Sequence, residues 1–381
     1  MLATLNLATL LFLLVTLLPL WRYPHWIIRG MDFPRLQFSV AGTILLLAQL
    51  VVLDLGAAGT WMLVVPTLLC LAWQLWWIVP YSRLWPHEVK PAKKSGSDRH
   101  LSILTANVLT PNRKVETLLA LIRERKPDIL VTLESDQWWQ DRLDTLQSDM
   151  PYTIKCPLDN LYGMHVYSRL PLEETEIRFL VQDDVPSMHA LVRLRTGDSL
   201  RVHFLHPAPP SPTENAESGE RDAELLIVAR STADSCQPVI VTGDLNDVAW
   251  SETTRLFRKI SGLLDPRVGR GMFNTFHAGY PFLRWPLDHL FHSHHFTLRS
   301  IERLPSIGSD HFPLFTELSY TPGRGATQEG LEADSADRSW ARSKIEEQNV
   351  SHADVPRPGE RPGFSSADGC PDRVTGDDGH P

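Results

Sequence analysis

The residues that could do chemistry stand where apolar runs stop. Asn107, Glu134, His206 and Asp244 each close a short hydrophobic segment. Asp288 and the adjacent pair Asp310 and His311 follow, and Asn246 lies two residues past Asp244. A single polar residue at the end of a strand is routine, but a series of carboxylates, amides and imidazoles at such ends is a constellation. Its hard oxygen ligands suit Mg2+ or Mn2+, and soft thiolate ligands are missing from it. The same groups suit attack on a phosphoester. The negative charge of that reactant repels nucleophiles, and a cation on a nonbridging oxygen offsets the repulsion. Asp244 or His311 could take the proton of an attacking water. An Asp288–His311 pair would fix the imidazole tautomer, and His206 could serve the leaving group.

These residues need strands to hold them. Residues 101–107 (LSILTAN) read as a strand, 114–126 as a helix with apolar positions at helical spacing, and 128–134 (DILVTLE) as a buried strand. Strand, helix and strand in such a short stretch make a crossover unit. Further strands are expected at 165–168, 190–194, 200–206, 238–243, 287–292 and 313–318, with helices at 222–233 and 251–260. The pattern predicts a mixed α/β domain over 100–320. Ligands collect at the C-terminal edges of such sheets because the strands are rigid and the loops give access.

The rest of the chain differs in composition. Residues 1–97 hold ten charged side chains and seven of the 12 Trp of the protein. Three apolar stretches, 1–21, 36–55 and 57–81, each have about the 20 residues a helix needs to cross a bilayer. Indole rings at their ends fit the membrane interface, so residues 1–82 are expected to form three transmembrane helices. A polar, basic segment at 83–99 reads as an extended or flexible linker. Residues 321–381, rich in Gly, Pro, Ser, Asp and Glu, are expected to be a disordered tail. The four Cys are scattered and suggest neither a disulfide framework nor a metal pair.

The motifs TAN (105–107), LES (133–135), GMHVYSRLPL (163–172), HFLHP (203–207), VTGDLND (241–247), WPLDHL (285–290) and GSDHFP (308–313) occur in an order that resembles the endonuclease/exonuclease/phosphatase superfamily. With spans ahead of the domain, the arrangement resembles a membrane-bound bacterial branch. The resemblance covers 101–318 and implies a four-layer α/β sandwich, two central sheets flanked by helices, with the site at one sheet edge. It also implies roles. Glu134 would bind the divalent cation with Asn107 beside it, and Asp310 would be the second carboxylate on the metal side. Asp244 would orient or deprotonate the water, and Asn246 would contact the phosphoryl oxygen. His311 would stand next to the phosphate with Asp288 as its partner, and His206 would face the leaving group. Two departures stand out: Leu133 precedes Glu134 where Gln is usual, and His206 sits in Leu-His-Pro where Thr-His-Leu is usual. The Pro-rich segment 207–219 beside the site is expected to restrict access.

The expected function is a membrane-tethered, Mg2+- or Mn2+-dependent phosphoester or phosphodiester hydrolase. Its substrate would be a lipid head group, a small phosphoester or a nucleic acid. Residues 98–320 carry 23 Lys and Arg against 30 Asp and Glu, which disfavours tight nonspecific binding to DNA. A nuclease is the alternative, and a catalytically silent phosphate-binding module is a further one, disfavoured because every candidate residue is present. The histidines 292, 294 and 295 read as alternation along a strand edge rather than as a zinc site. Basic residues flank the spans: Arg22, Arg29 and Arg35 in the first loop, then Arg83, Lys90, Lys93, Lys94 and Arg99 after the third span. The positive-inside rule puts both segments, and the domain, on the cytoplasmic side of a bacterial plasma membrane.

Overall fold

In the computed structural model, which describes residues 1–93, 96–233, 235, 237–325 and 327–356, the chain opens with four helices: α1 (Leu2–Leu17), α2 (Trp26–Gly30), α3 (Arg35–Val52) and α4 (Ala58–Ile78). Three helical stretches, Leu2–Leu20, Arg35–Val52 and Ala58–Tyr81, are long and apolar enough to span a membrane. Apolar side chains gain nothing by meeting one another in lipid, so polar groups and close packing must join such helices. Gln49 on α3 donates to Thr9 on α1 (2.9 Å) and Thr67 on α4 (3.0 Å). Gln74 on α4 donates to Thr16 (3.0 Å) and accepts from Arg35 (3.1 Å). Gly42 lets α3 approach Phe12, since a Cβ there would come within 2.4 Å of the ring.

The strands are β1 (His100–Asn107), β2 (Ile129–Leu133), β3 (Tyr152–Cys156), β4 (Met164–Ser168), β5 (Leu172–Arg178), β6 (Ser187–Arg193), β7 (Ser199–Leu205), β8 (Val239–Asp244), β9 (Asp288–His292), β10 (Phe296–Arg303) and β11 (Leu314–Tyr320). They form a six-stranded sheet, β10-β11-β1-β2-β4-β3, and a five-stranded sheet, β5-β6-β7-β8-β9. Side chains such as Ile103, Val131, Val166, Val202, Phe204, Ile240 and Leu290 fill the space between them. Helices α5 (Val115–Arg125) and α6 (Gln137–Leu143) cover the outer face of the first sheet with Leu118, Ile122 and Trp139. Helices α7 (Gly219–Thr232) and α8 (Glu252–Ser261) cover the second with Leu225, Val228 and Phe257. The layers are helix, sheet, sheet, helix, as expected. Each sheet contains one parallel pair, β1–β2 and β7–β8, and everything else is antiparallel.

Two expectations are corrected. The segment 83–99 is not a free linker along its described length. Val89 is fully buried, Glu88 pairs with Arg258, and Pro91 bridges to Leu298 on β10. The tail is ordered over its described residues, 321–325 and 327–356. After the short α9 (Pro322–Gly325), helix α10 (Ser335–Glu347) starts at a capping box between Asp334 and Asp337. It buries Ala341 and Ile345 against α7 and α8, and Val355 joins the same cluster. Lys344 reaches the buried Asp222 at 2.6 Å. Residues 357–381 of the expected tail lie outside the described residues.

Candidate active site

The two parallel pairs end side by side. Asn107, the last residue of β1, lies opposite Leu133, and Glu134 follows directly. In the other sheet Leu205 lies opposite Gly243, with His206 and Asp244 next in line. Asp244 is also paired with Asp288 across β8 and β9. Gly243, at φ 149°, allows the close approach of β7, because a Cβ would come within 1.8 Å of the Leu205 carbonyl. Thus the strand register alone brings residues far apart in sequence to one edge.

The side chains form one connected set. Asn107 Nδ2 donates to Glu134 Oε1 (2.6 Å) and to Asp244 Oδ2 (3.2 Å), crossing from sheet to sheet. The Asn246 amide N–H donates to Asp244 Oδ1 (3.0 Å). His311 Nδ1 is 2.8 Å from Asp288 Oδ2, and its Nε2 is 3.4 Å from Asp244 Oδ2. Burial works against a charged imidazole here, but the carboxylates of Asp244 and Asp288 overcome it and lift His311 to about 10. His311 is therefore an imidazolium at neutral pH. Asp244 is raised by burial, with His311 opposing. His206 makes no hydrogen bond to this set; its buried Nδ1 lacks a partner, and burial depresses it to about 4, which leaves it neutral. The Tyr162 ring packs against it at 5.4 Å. Asp310 is half-buried beside His311, accepting from Ser309 at 3.2 Å.

The donors in the outer part of this set are of the kind a divalent cation takes. Glu134 Oε2 is buried without a partner, and burial pushes its carboxyl up to about 8. An uncompensated carboxylate of this kind is costly. Glu134, Asp310 and the Asn107 amide offer only hard donors, although Asn107 Oδ1 already accepts from the Leu109 N–H at 3.1 Å. A second grouping, Asp244, Asp288 and His311, has ligand atoms within 4.8 Å of one another. Both of its ring nitrogens face carboxylates, so it reads as a proton-linked triad rather than a cation cage. Glu134 and Asn246 have left-handed backbones, φ 55° and 51°, a conformation that Asn tolerates and Glu resists.

Sequence reasoning missed the residues that hold the Asp244 turn. Arg221, fully buried on α7, donates to the Asn246 carbonyl (2.8 Å) and to Asp222 (2.8 Å). Arg267 donates to His289 Nδ1 (2.6 Å), whose Nε2 lies 2.9 Å from the Asp247 carbonyl. His289 is thus a neutral strut, as burial also dictates. Each arginine also pairs with a carboxylate close in sequence, Asp222 and Asp265, but only long-range packing brings them to the Asn246 carbonyl and to His289.

Residues 104–311 match the model of the Endonuclease/Exonuclease/phosphatase family. The chain belongs to that family. Its members are hydrolases acting on phosphoester bonds. The family domain is similar to humanized D. rerio TDP2 (17% identity, TM-score 0.48, 58% of this chain and 99% of that one). It is also similar to the human Nocturnin catalytic domain with bound sulfate anion (16%, 0.48, 58% and 95%). An endonuclease/exonuclease/phosphatase from Bacteroides vulgatus is a third (16%, 0.47, 58% and 99%). The sequence matches no curated protein.

Proposed function

We propose that the protein is a membrane-anchored, divalent-metal-dependent phosphoester hydrolase. The observation that carries this reading is the buried chain Glu134–Asn107–Asp244–His311–Asp288, with an unpartnered carboxylate oxygen at one end and an imidazole held between two carboxylates at the other. Glu134, Asn107 and Asp310 would hold Mg2+ or Mn2+, which when bound would supply Lewis-acid stabilisation of the phosphoryl oxygens. The remaining work falls to side chains already in place. Asp244, fixed by Asn107 and the Asn246 N–H, orients the attacking water and accepts its proton. His311, kept charged by its two carboxylates, faces the negative charge that develops on the phosphoryl group. Asp288 holds the imidazole by Nδ1, so that Nε2 points inward. His206, held neutral, can hydrogen-bond the leaving group. General acid–base help of this kind is worth about 10²–10⁴-fold in rate.

The test is hydrolysis of bis(p-nitrophenyl) phosphate by the full chain in detergent. Activity with Mg2+ or Mn2+ is expected, with loss on chelation by EDTA and near-complete loss in Asp244→Asn. Activity indifferent to EDTA, or retained in full by His311→Ala, would overturn the assignment.

A further inference from the structure

The spans do not hang from the domain by a string; they are docked against its catalytic edge. Trp26 N donates to the Ala216 carbonyl and Ser218 N to the Pro24 carbonyl, both at 2.9 Å. Trp250 Nε1 donates to the Asp32 carbonyl (2.8 Å), and Tyr81 OH to the Ala249 carbonyl (2.6 Å). Arg29 lies 3.6 Å from Glu252. Residues 206–218 follow β7, which ends at Leu205 just before His206, and 245–252 follow β8, which ends at Asp244. The loops that shape the site are therefore the loops that meet the membrane segment. The C-terminus of α1, the N-terminus of α3 and the C-terminus of α4 all lie on this side.

One site loop goes further. Between Phe276 and Trp285 the chain forms a hairpin-like excursion, with Trp285 N bonded to the Phe276 carbonyl. At its base, Ala278 N donates to the Asp310 carbonyl (2.6 Å), and the Phe276 ring lies 4.9 Å from that of His311. At its tip, Tyr280, Phe282 and Leu283 are 58%, 85% and 47% exposed. The tip is fixed at a definite height, because Gln37 Nε2 donates to the Phe282 carbonyl at 2.8 Å. Gln37 sits in the first turn of α3 between the outward-facing Leu36 and Val40, about 3 Å along the span at 1.5 Å per residue. Exposed Trp21, Trp76 and Trp85 gather at the same ends of the other spans, as interfacial indoles do. Apolar side chains held at that level would meet the bilayer interface rather than open water. From Ala278 to Phe282 the chain can reach at most about 13 Å, so the site opens close to the lipid phosphate layer.

We infer that the substrate is a phosphoester carried by an amphiphile of the same bilayer, delivered to the site past the 280–283 tip embedded in the interface. The inference rests on the hydrolytic reading above. In the reaction a water oxygen bonds to phosphorus as one ester P–O bond breaks. The electron pair leaves with the alcohol oxygen, which takes up one proton as the water surrenders one to Asp244. One water is consumed, and a phosphate monoester (or inorganic phosphate) and an alcohol result.

The experiment uses the full chain reconstituted with Mg2+ in vesicles of phosphatidylethanolamine and phosphatidylglycerol, with or without phosphatidic acid. The parent is compared with the double variant Phe282→Ser, Leu283→Ser, whose altered side chains are exposed. Two rates are read: release of p-nitrophenol from soluble bis(p-nitrophenyl) phosphate, and release of head group or phosphate from the vesicle lipid. The parent is expected to cleave both. The double variant should keep its soluble rate within twofold and lose at least tenfold on lipid. An unchanged lipid rate in the double variant, or a parent active on the soluble diester and inert on every lipid, overturns this inference and leaves the hydrolytic reading standing. A parent inert on both substrates overturns both.

Discussion

Replacing Asp288 by Asn separates the charge of this residue from its shape. The carboxylate accepts from His311 Nδ1 at 2.8 Å with both side chains buried. A hydrogen bond to a charged group in such surroundings is worth about 1.5–3 kcal/mol. At about 1.36 kcal/mol per decade of rate, kcat of Asp288→Asn should fall roughly 10- to 150-fold. The Asn oxygen can still accept from Nδ1 and the Phe276 ring still braces the imidazole, so the loss should stay below that of His311→Ala. Asp288 hydrogen-bonds into the site through His311, and KM should therefore move less than about threefold, the pattern of an interaction realised in the transition state. Asp288 Oδ1 already lacks a partner, so the new NH2 at that position replaces one unsatisfied polar group by another, at a cost of about 1–3 kcal/mol of stability. The assay is initial rate against concentration of the soluble diester, with a denaturant melt of the same preparation. A kcat within threefold of the parent in a folded variant would refute the role of the pair.

Glu134→Gln should abolish most metal-dependent activity and weaken Mn2+ binding, read by calorimetry, because it neutralises the buried oxygen expected to meet the cation; unchanged Mn2+ affinity would contradict the assignment. His165 is buried on the outer face of the first sheet, beside the Tyr167 ring, with neither ring nitrogen partnered, and burial depresses it to about 4. The unfolded ring takes a proton near 6.5, so stability is full above that pH and is lost as pH falls from 6.5 toward about 4. His165→Met should therefore gain about 2 kcal/mol more at pH 5 than at pH 8, measured by urea melts, and an equal gain at both would count against it. Ile345→Ala should cost about 2–4 kcal/mol if α10 packs as described; no change would mean that the helix does not dock.

Much of the site could be read in the sequence because β-strands end abruptly. A polar residue closing an apolar run marks a sheet edge, and that rule found Asn107, Glu134, His206 and Asp244. It could not supply the left-handed turns at Glu134 and Asn246, which depend on what packs beneath them. Strands β3, β5 and β10 escaped notice. The first and last are only half-buried in places, and β5 (LEETEIR) is a polar edge strand with no hydrophobic run. Helix α10 was hidden by composition: its charged residues outnumber the Ala341 and Ile345 that anchor it, yet that pair at a spacing of four is enough to dock one face. The segment 83–99 was misread for the same reason, since Val89 is a lone apolar anchor among polar neighbours.

The Asn107 amide touches Glu134 with one hand and Asp244 with the other, and those two residues belong to different sheets. The site is thus a gauge of how the two sheets are seated. Thr105 and Thr242, 3.1 Å apart just below it, sit at the contact where the gauge is set. Any change in the filling between the layers, from Val202 to Leu290, slides one half of the machinery against the other without touching a reactive atom. Misalignment by a single ångström can cost a hundredfold in rate. Evolution of this core is therefore yoked to its chemistry: substitutions that leave the fold intact and the melting point unmoved can still silence it.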